Sequence, residues 1–298
     1  MANDRDYLTW TPKAATAAAC RFYEQHTRDM QHAAAASLIL GEYERILKGL
    51  GIAFAKIAPD GPEHLFPEFF RRRDQFRETV NLITPAVAEL GSTRCVENFL
   101  CYVSDIITDT LIARPELLKS QEQVTLEDVL QHDSIEGFIS WAAENRVAQL
   151  SFKGLEEISS YIKKRLSLDL HQDEADWKKL KKGVALRNLI VHRRSVIDQR
   201  FIHLTGEKEL TRGTVYKTTM RDYVRTAESA MKIVGQFDEK VAEKFSIPRR
   251  GTKGEHWYCE GRWGPEGRKG RERTRAIDAS RFEKICIKVG RSPTLVSM

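Results

Sequence analysis

The fold prediction depends most on residues 186–198, LRNLIVHRRSVID, in which polar groups interrupt an otherwise apolar run. Arg187, Asn188 and His192 are the polar side chains that open this stretch. Arginine offers a planar fork of donors to negative charge, and imidazole can move a proton near neutral pH. An amide beside them can orient a hydroxyl or a phosphate oxygen. The three side chains therefore predict metal-free chemistry on a phosphodiester.

This segment resembles the Arg-x4–6-His motif of the HEPN superfamily, small helical domains that include many RNA-cleaving toxins and defence proteins. In that family a polar residue commonly follows the arginine, as Asn188 does here. Some members also carry an acidic residue and a lysine in fixed register upstream, and Val184-Ala185-Leu186 do not match that extension. The resemblance covers residues 90–246 and implies an all-α, HEPN-like helical bundle.

The resemblance also implies a reaction, the metal-independent cleavage of RNA with the ribose 2′-hydroxyl as internal nucleophile. His192 would act as general acid or base, Arg187 would stabilise the developing charge, and Asn188 would position the RNA. Arg193 and Arg194 would grip the backbone on either side of the cleaved bond. RNA is thus the expected partner, no cofactor or metal is predicted, and DNA should not be cut because it lacks the 2′-hydroxyl.

The spacing of the motif presents a difficulty for a site within one chain. Arg187 and His192 are five residues apart, about 140° around an ideal helix, so they are not expected to converge on one straight helix. HEPN domains typically dimerise through their motif helices, and the resemblance therefore implies a composite site in a homodimer. An endoribonuclease of toxin or antiviral-defence type would need control by an antitoxin or another regulatory partner.

Two other functional readings stay open. The chain could be a catalytically inactive HEPN-like module that binds a nucleotide or nucleic acid or only dimerises. It could also be a helical interaction protein within a larger assembly. The simplest structural reading makes Arg187 an ordinary surface residue and His192 a core histidine that is bonded to a carbonyl.

Composition describes a soluble globular protein. Of the 298 residues, 41% are apolar and 30% are charged. The sequence has no run of 18 or more apolar residues, so no membrane span is predicted. The N-terminus lacks the pattern of a signal peptide. The five cysteines have no CxxC spacing, which favours thiols in a reducing compartment. These features predict a cytoplasmic protein with no membrane partner.

Basic charge is concentrated at the C-terminus. Residues 249–298 carry 13 Lys/Arg against 6 Asp/Glu, a net charge of +7. Because the whole chain carries +6, the rest of it is close to neutral at about −1. Cationic groups interleaved with aromatic rings suit single-stranded nucleic acid, and the predicted contacts are Arg249, Arg250, Lys253, Trp257 and Trp263. A solvated tail whose tryptophans dock on the body is an equally favoured reading.

The chain is predicted to contain an N-terminal helical extension (1–90), a HEPN-like domain (91–247) and a basic tail (248–298). Thr11-Pro12 resembles a helix start, and Gly91 to Thr93 is expected to separate two helices. The extended segments 201–204 and 214–218 predict a short β-hairpin.

The predicted helices are one or two within 12–57, then 69–89, 93–113 with Ser92 or Thr93 as its cap, a short one opened by a capping box of Thr125 and Asp128, 134–148, 152–167, a motif helix that Asp173 or Asp176 caps and that runs to Ile197, and 220–246. One apolar face is predicted on 152–167, from Leu155, Ile158, Ile162 and Leu166, and another on 220–246, from Tyr223, Ala227, Ala230, Val234, Phe237, Val241 and Phe245.

Overall fold

The computed structural model describes residues 12–119, 124–151, 153–207 and 209–251. These residues are mostly helical, so the all-α prediction is confirmed. The helices are α1 Ala17–Ile57, α2 Pro62–Leu65, α3 Pro67–Ala113, α4 Leu126–Leu130, α5 Ile135–Ser151, α6 Leu155–Leu166, α7 Glu174–Arg193, α8 Gln199–Thr205 and α9 Met220–Phe245, with a 3-10 turn at Pro115–Leu118. Two short strands, β1 Ala14–Ala15 and β2 Arg250–Gly251, pair antiparallel.

The first helix begins later than predicted. Thr11-Pro12 does not start it, because Thr16 is the residue whose hydroxyl accepts from the Ala19 amide at 3.2 Å. The buried carboxylate of Asp238 accepts hydrogen bonds from both the amide and the hydroxyl of Thr16. Burial raises the pKa of Asp238, while the hydrogen bonds from Thr16 oppose that rise. Tertiary contact with α9 therefore fixes the start of α1.

The predicted break between two helices at Gly91 is wrong, because α3 is continuous from Pro67 to Ala113. A Cβ on Gly91 would lie 2.8 Å from the ring of Tyr223. Gly91 therefore marks a close approach of α9 to α3 and not a helix end. Ser92, which had been expected as a cap, is buried within the helix.

The predictions for the middle of the chain are confirmed. Thr125 and Asp128 form a reciprocal capping box at the start of α4. The Ser134 hydroxyl accepts from the Gly137 amide at 3.1 Å and precedes α5. On α6 the four residues of the predicted apolar face are all buried, namely Leu155, Ile158, Ile162 and Leu166.

The clearest helix in the sequence is also a central element of the structure. All seven apolar positions predicted to share one face of α9 are buried, namely Tyr223, Ala227, Ala230, Val234, Phe237, Val241 and Phe245. The helix bounds Met220–Phe245 agree with the prediction to within one residue. A Cβ on Gly183 of α7 would lie 2.4 Å from Cγ2 of Thr226, so α7 and α9 cross closely at this point.

The predicted β-hairpin is wrong, because its first predicted strand, residues 201–204, is helical. Residues 199–205 form α8, because the Asp198 carboxylate accepts from the Phe201 amide at 2.8 Å and caps a helix. The cap outweighs the extended tendency of the sequence FIHLT. An antiparallel bridge does form, but it joins Val196 to Val215.

The described residues divide into two compact units. One contains those of 12–27, 95–185 and 226–251, and its largest buried side chains include Trp177, Tyr102, Phe22, Phe99 and Phe237. The other contains those of 28–94 and 186–225, and it buries Ala88, Leu189, Phe201, Met220 and Tyr223. The three predicted domains stay predictions. None of the described helices is both long enough and apolar enough to cross a membrane.

The close crossing of α7 and α9 predicts opposite effects for two Gly→Ala substitutions. Gly183→Ala should lower the free energy of unfolding, because overpacking costs about 1–3 kcal/mol and outweighs a gain in helix propensity of about 1 kcal/mol. Gly51→Ala on α1 should instead be stabilising, because the nearest atom to its Cβ would be Cε1 of Phe69 at 3.9 Å. Urea unfolding followed by circular dichroism measures both.

Thr226→Ala removes Cγ2 and Oγ1, the two atoms that a Cβ on Gly183 would meet most closely, and leaves only Cβ of residue 226 at 3.1 Å. Adding Gly183→Ala to Thr226→Ala should therefore cost much less than adding it to the wild type. Equal stabilisation by Gly183→Ala and Gly51→Ala would show that the close crossing does not exist.

Candidate functional site

The helix that carries the motif is fixed firmly at its start. The Asp173 carboxylate accepts from the amides of Ala175 and Asp176 at 2.7 and 3.1 Å, as the capping prediction required. The hydrogen bonds from Asp176 and Ala175 lower the pKa of this carboxyl. Trp177, Leu180, Leu186 and Leu189 are buried along the helix. The motif residues are therefore carried on a rigid, capped element.

The structure brings the side chains of the motif together within one chain. Nη1 of Arg187 donates to Oδ1 of Asn188 at 3.0 Å and lies 3.4 Å from Nε2 of His192. The expectation that Arg187 and His192 would not converge on one helix is therefore wrong. Positions 187 and 192 are about 140° apart around the helix, but the arginine side chain is long enough to bring its guanidinium to the imidazole.

The contact gives the imidazole a neighbouring donor. Arginine is a donor only, so a hydrogen bond at this contact uses Nε2 of His192 as the acceptor. Arg187 and Asn188 are half-buried, whereas His192 is exposed. This exposure excludes the reading of His192 as a core histidine. A guanidinium and an imidazole thus lie together near solvent at the end of α7.

The chain leaves α7 in an uncommon conformation. The helix ends at Arg193, four residues earlier than predicted, and Arg194 and Ser195 both have positive φ angles, 52° and 61°. The Ser195 amide donates to the Leu189 carbonyl at 3.1 Å, and the Tyr216 amide donates to the Ser195 carbonyl at 2.8 Å. Left-handed backbone is unfavourable for residues other than glycine, so these contacts hold the turn in place.

Ser195 and Glu89 are residues of this site that the sequence did not connect. The buried Ser195 hydroxyl donates to Oε1 of Glu89 at 2.9 Å. The two residues are 106 positions apart and no local motif joins them. They anchor the turn directly after His192 to α3, and only the tertiary structure shows this.

The predicted backbone-binding residues Arg193 and Arg194 are exposed beside His192. Arg193 makes a long ion pair with Asp198, with 3.6 Å between Nε and Oδ2. Residues 186–225 carry nine Lys/Arg against four Asp/Glu, a net charge of +5. Residues 1–248 together carry about −1, so the segment around the motif is locally basic. Such a segment attracts phosphate.

The basic residues predicted at the C-terminus have different environments. Nη2 of Arg249 donates to the Ala14 carbonyl at 2.7 Å, and its Nη1 lies 3.6 Å from Oε1 of Glu239. Arg250 pairs with Ala15 in the short sheet and is exposed. Lys253, Trp257 and Trp263 lie outside the described residues. Across the described ranges, no three His, Cys, Asp or Glu side chains converge in an arrangement that could hold a metal ion.

Comparisons with protein-family models, with curated proteins and with solved structures found no match to this chain.

The turn after α7 predicts a difference between two neighbouring arginines. Arg194→Gly should leave stability unchanged or raise it, because left-handed backbone costs a residue with a Cβ about 1–2 kcal/mol, although glycine also gains freedom in the unfolded chain. Arg193→Gly, in the helix, should destabilise by up to about 1 kcal/mol. Thermal unfolding of the two variants checks this. Equal losses from both would contradict the left-handed conformation at Arg194.

Proposed function

We propose that this protein is a metal-independent endoribonuclease of the toxin or antiviral-defence type. The observation that carries the proposal is the contact between Arg187 and His192, 3.4 Å apart at the solvent-exposed end of α7. A fixed cation beside a neutral imidazole supplies the charge stabilisation and the proton transfer that phosphodiester cleavage needs. The resemblance of residues 186–198 to the HEPN motif supports the same chemistry.

The reaction begins with transfer of the ribose 2′-hydroxyl proton to Nε2 of His192. The 2′-oxygen attacks phosphorus and the bond from phosphorus to the 5′-oxygen breaks. Water protonates the departing 5′-oxygen, and the His192 imidazolium gives up its proton to the resulting hydroxide, so the protons balance. Arg187 stabilises the extra negative charge on the non-bridging oxygens, and Asn188 orients the RNA. The products are a 2′,3′-cyclic phosphate and a 5′-hydroxyl. DNA is not cleaved because it lacks the nucleophile.

The contact between Arg187 and His192 has a consequence for this mechanism. The lone pair on Nε2 that would accept the 2′-hydroxyl proton is occupied by Arg187 in the free protein. Binding of an RNA phosphate draws the guanidinium toward the phosphate oxygens, because a charged acceptor is preferred to a neutral ring nitrogen. Substrate binding therefore frees the base at the same time as it places the cation.

The basic surroundings of the motif support RNA as the substrate. Arg193 and Arg194 are exposed next to His192, and the net charge of +5 over residues 186–225 favours phosphate binding. We propose that the enzyme acts on cellular or invading RNA in the cytoplasm under control of an antitoxin or another regulatory partner. The HEPN resemblance implies a homodimer whose motif helices line one cleft, but Arg187 and His192 are already in contact within one copy, so the proposed site does not depend on that interface.

The proposal is tested by incubating the full chain with labelled single-stranded RNA, and with DNA of the same sequence, in excess EDTA. The wild type should cleave RNA alone and leave 2′,3′-cyclic ends. Arg187→Ala and His192→Ala should each reduce the rate by about 100-fold or more. Arg187→Lys keeps the charge but loses the planar fork, so its rate should lie between those of the wild type and Arg187→Ala.

Matched controls are available on exposed helix positions outside the motif. Arg77→Ala on α3 and His203→Ala on α8 replace the same residue types at exposed sites, and both should retain the wild-type rate. Cleavage that requires a metal ion, or that survives both motif substitutions, would contradict the proposal. RNA binding without cleavage by the wild type would favour the inactive binding module.

A further inference from the structure

An apolar stripe on α1 is largely uncovered in the part of the chain that the structure describes, and Tyr43 at its edge also contacts the ring of Phe76 on α3, with 4.2 Å between ring centroids. Its members recur at alternating steps of four and three residues, and the large ones are between 42% and 70% exposed. Single exposed apolar residues are ordinary on protein surfaces, but a heptad pattern over 19 residues is typical of a helix that packs on another helix. This outer stripe consists of Ile39, Tyr43, Ile46, Leu50, Ala53 and Ile57.

The outer stripe adjoins the face that α1 uses within its own chain, and Tyr43 belongs to the border between them. Leu47 is buried, and the ring of Phe54 lies 4.1 Å from that of Phe66 and 4.8 Å from that of Phe69. Ile46 and Leu47 are about 100° apart around the helix. This part of α1 thus packs on α3 with one face and presents a second apolar face beside it.

The side chains of the outer stripe are complementary to those of a second copy of the stripe that runs antiparallel to it. In an antiparallel pair centred near Lys48, Ile46 meets the partner's Leu50 and Ile39 meets the partner's Ile57. Tyr43, the largest side chain, meets the partner's Ala53, the smallest, as interdigitating layers require. A parallel pair would instead set the two tyrosines against each other and the two alanines against each other.

The charges that flank the outer stripe favour the same arrangement. Glu42 and Lys56 directly precede Tyr43 and Ile57, and both are exposed. In the antiparallel pair each Glu42 lies on the same side of the seam as the partner's Lys56 and within two residues of its level, while Gly49 lies next to the centre and allows close approach. Glu42 also pairs with Arg45 on its own helix at 2.7 Å, but both side chains are exposed, and such a pair contributes little.

We infer that the outer stripe of α1 is the interface between two antiparallel copies of this chain. The stripe is carried on a helix pair that is already packed, so association requires little ordering and brings four helices together. The inference rests on residues 39–57 alone and does not depend on the proposed ribonuclease activity.

The test is the mass of the full-length protein by sedimentation equilibrium across micromolar concentrations. The wild type should be a dimer, and Ile46→Glu should weaken association by about tenfold or more, because it buries a charge in the seam. Ile52→Glu is the matched control, because Ile52 is also an exposed isoleucine of α1, 54% accessible, but lies off the stripe. Ile52→Glu should leave the mass unchanged.

Charge reversal tests the antiparallel register. Glu42→Lys alone and Lys56→Glu alone place like charges opposite each other and should each weaken the dimer, whereas the double variant should restore it. Circular dichroism should show that every variant is folded, since all these positions are exposed. Arg187→Ala and His192→Ala should leave the mass unchanged, so failure of the nuclease proposal and failure of the interface are distinguished.

A wild-type monomer throughout the concentration range would overturn the inference. The inference would also be overturned if Val191→Glu on α7 dissociated the dimer and Ile46→Glu left it intact. That result would place the interface on the motif helix. Equal effects of Ile46→Glu and Ile52→Glu would show that the outer stripe has no special role.

Discussion

The close crossing of α7 and α9 at Gly183 and Thr226 is the constraint on which the candidate site depends. A Cβ on Gly183 would lie 2.4 Å from Cγ2 of Thr226, so the two helices can approach this closely only because α7 has glycine there. Interiors are close-packed and resist such overlap. Arg187 lies one turn further along the same helix, where its guanidinium contacts Asn188 and His192.

The end of α7 combines a rigid helix with an unfavourable turn. Two residues with a Cβ adopt positive φ angles directly after the helix, and the hydroxyl of Ser195 is held by Glu89. Backbone strain of this kind persists only where surrounding contacts enforce it, and it often accompanies functional sites. Here it ends the helix at Arg193 and leaves His192 and its two basic neighbours exposed.

The first helix has two apolar faces, and they have different roles. One face packs on α3 through Leu47 and Phe54, while the face that begins at Ile39 stays exposed in the single chain. A helix that only covers a core needs one such face. The second face, with its symmetric charges Glu42 and Lys56, is explained by association of two copies. The long N-terminal helix would then serve assembly, whereas the C-terminal end of α7 carries the proposed ribonuclease site.

The sequence by itself determined the helical class, the extent of α9 to within one residue, the buried face of α6 and the capping of α4 and α7, because these follow from local periodicity and side-chain caps. It also identified the polar residues of the motif. Only the tertiary structure decided that Gly91 lies within a helix, that residues 199–205 are helical and that Arg187 reaches His192. The Tyr223 ring, the Asp198 cap and the side-chain reach of arginine decide these outcomes. A local pattern does not contain the distances that such contacts require.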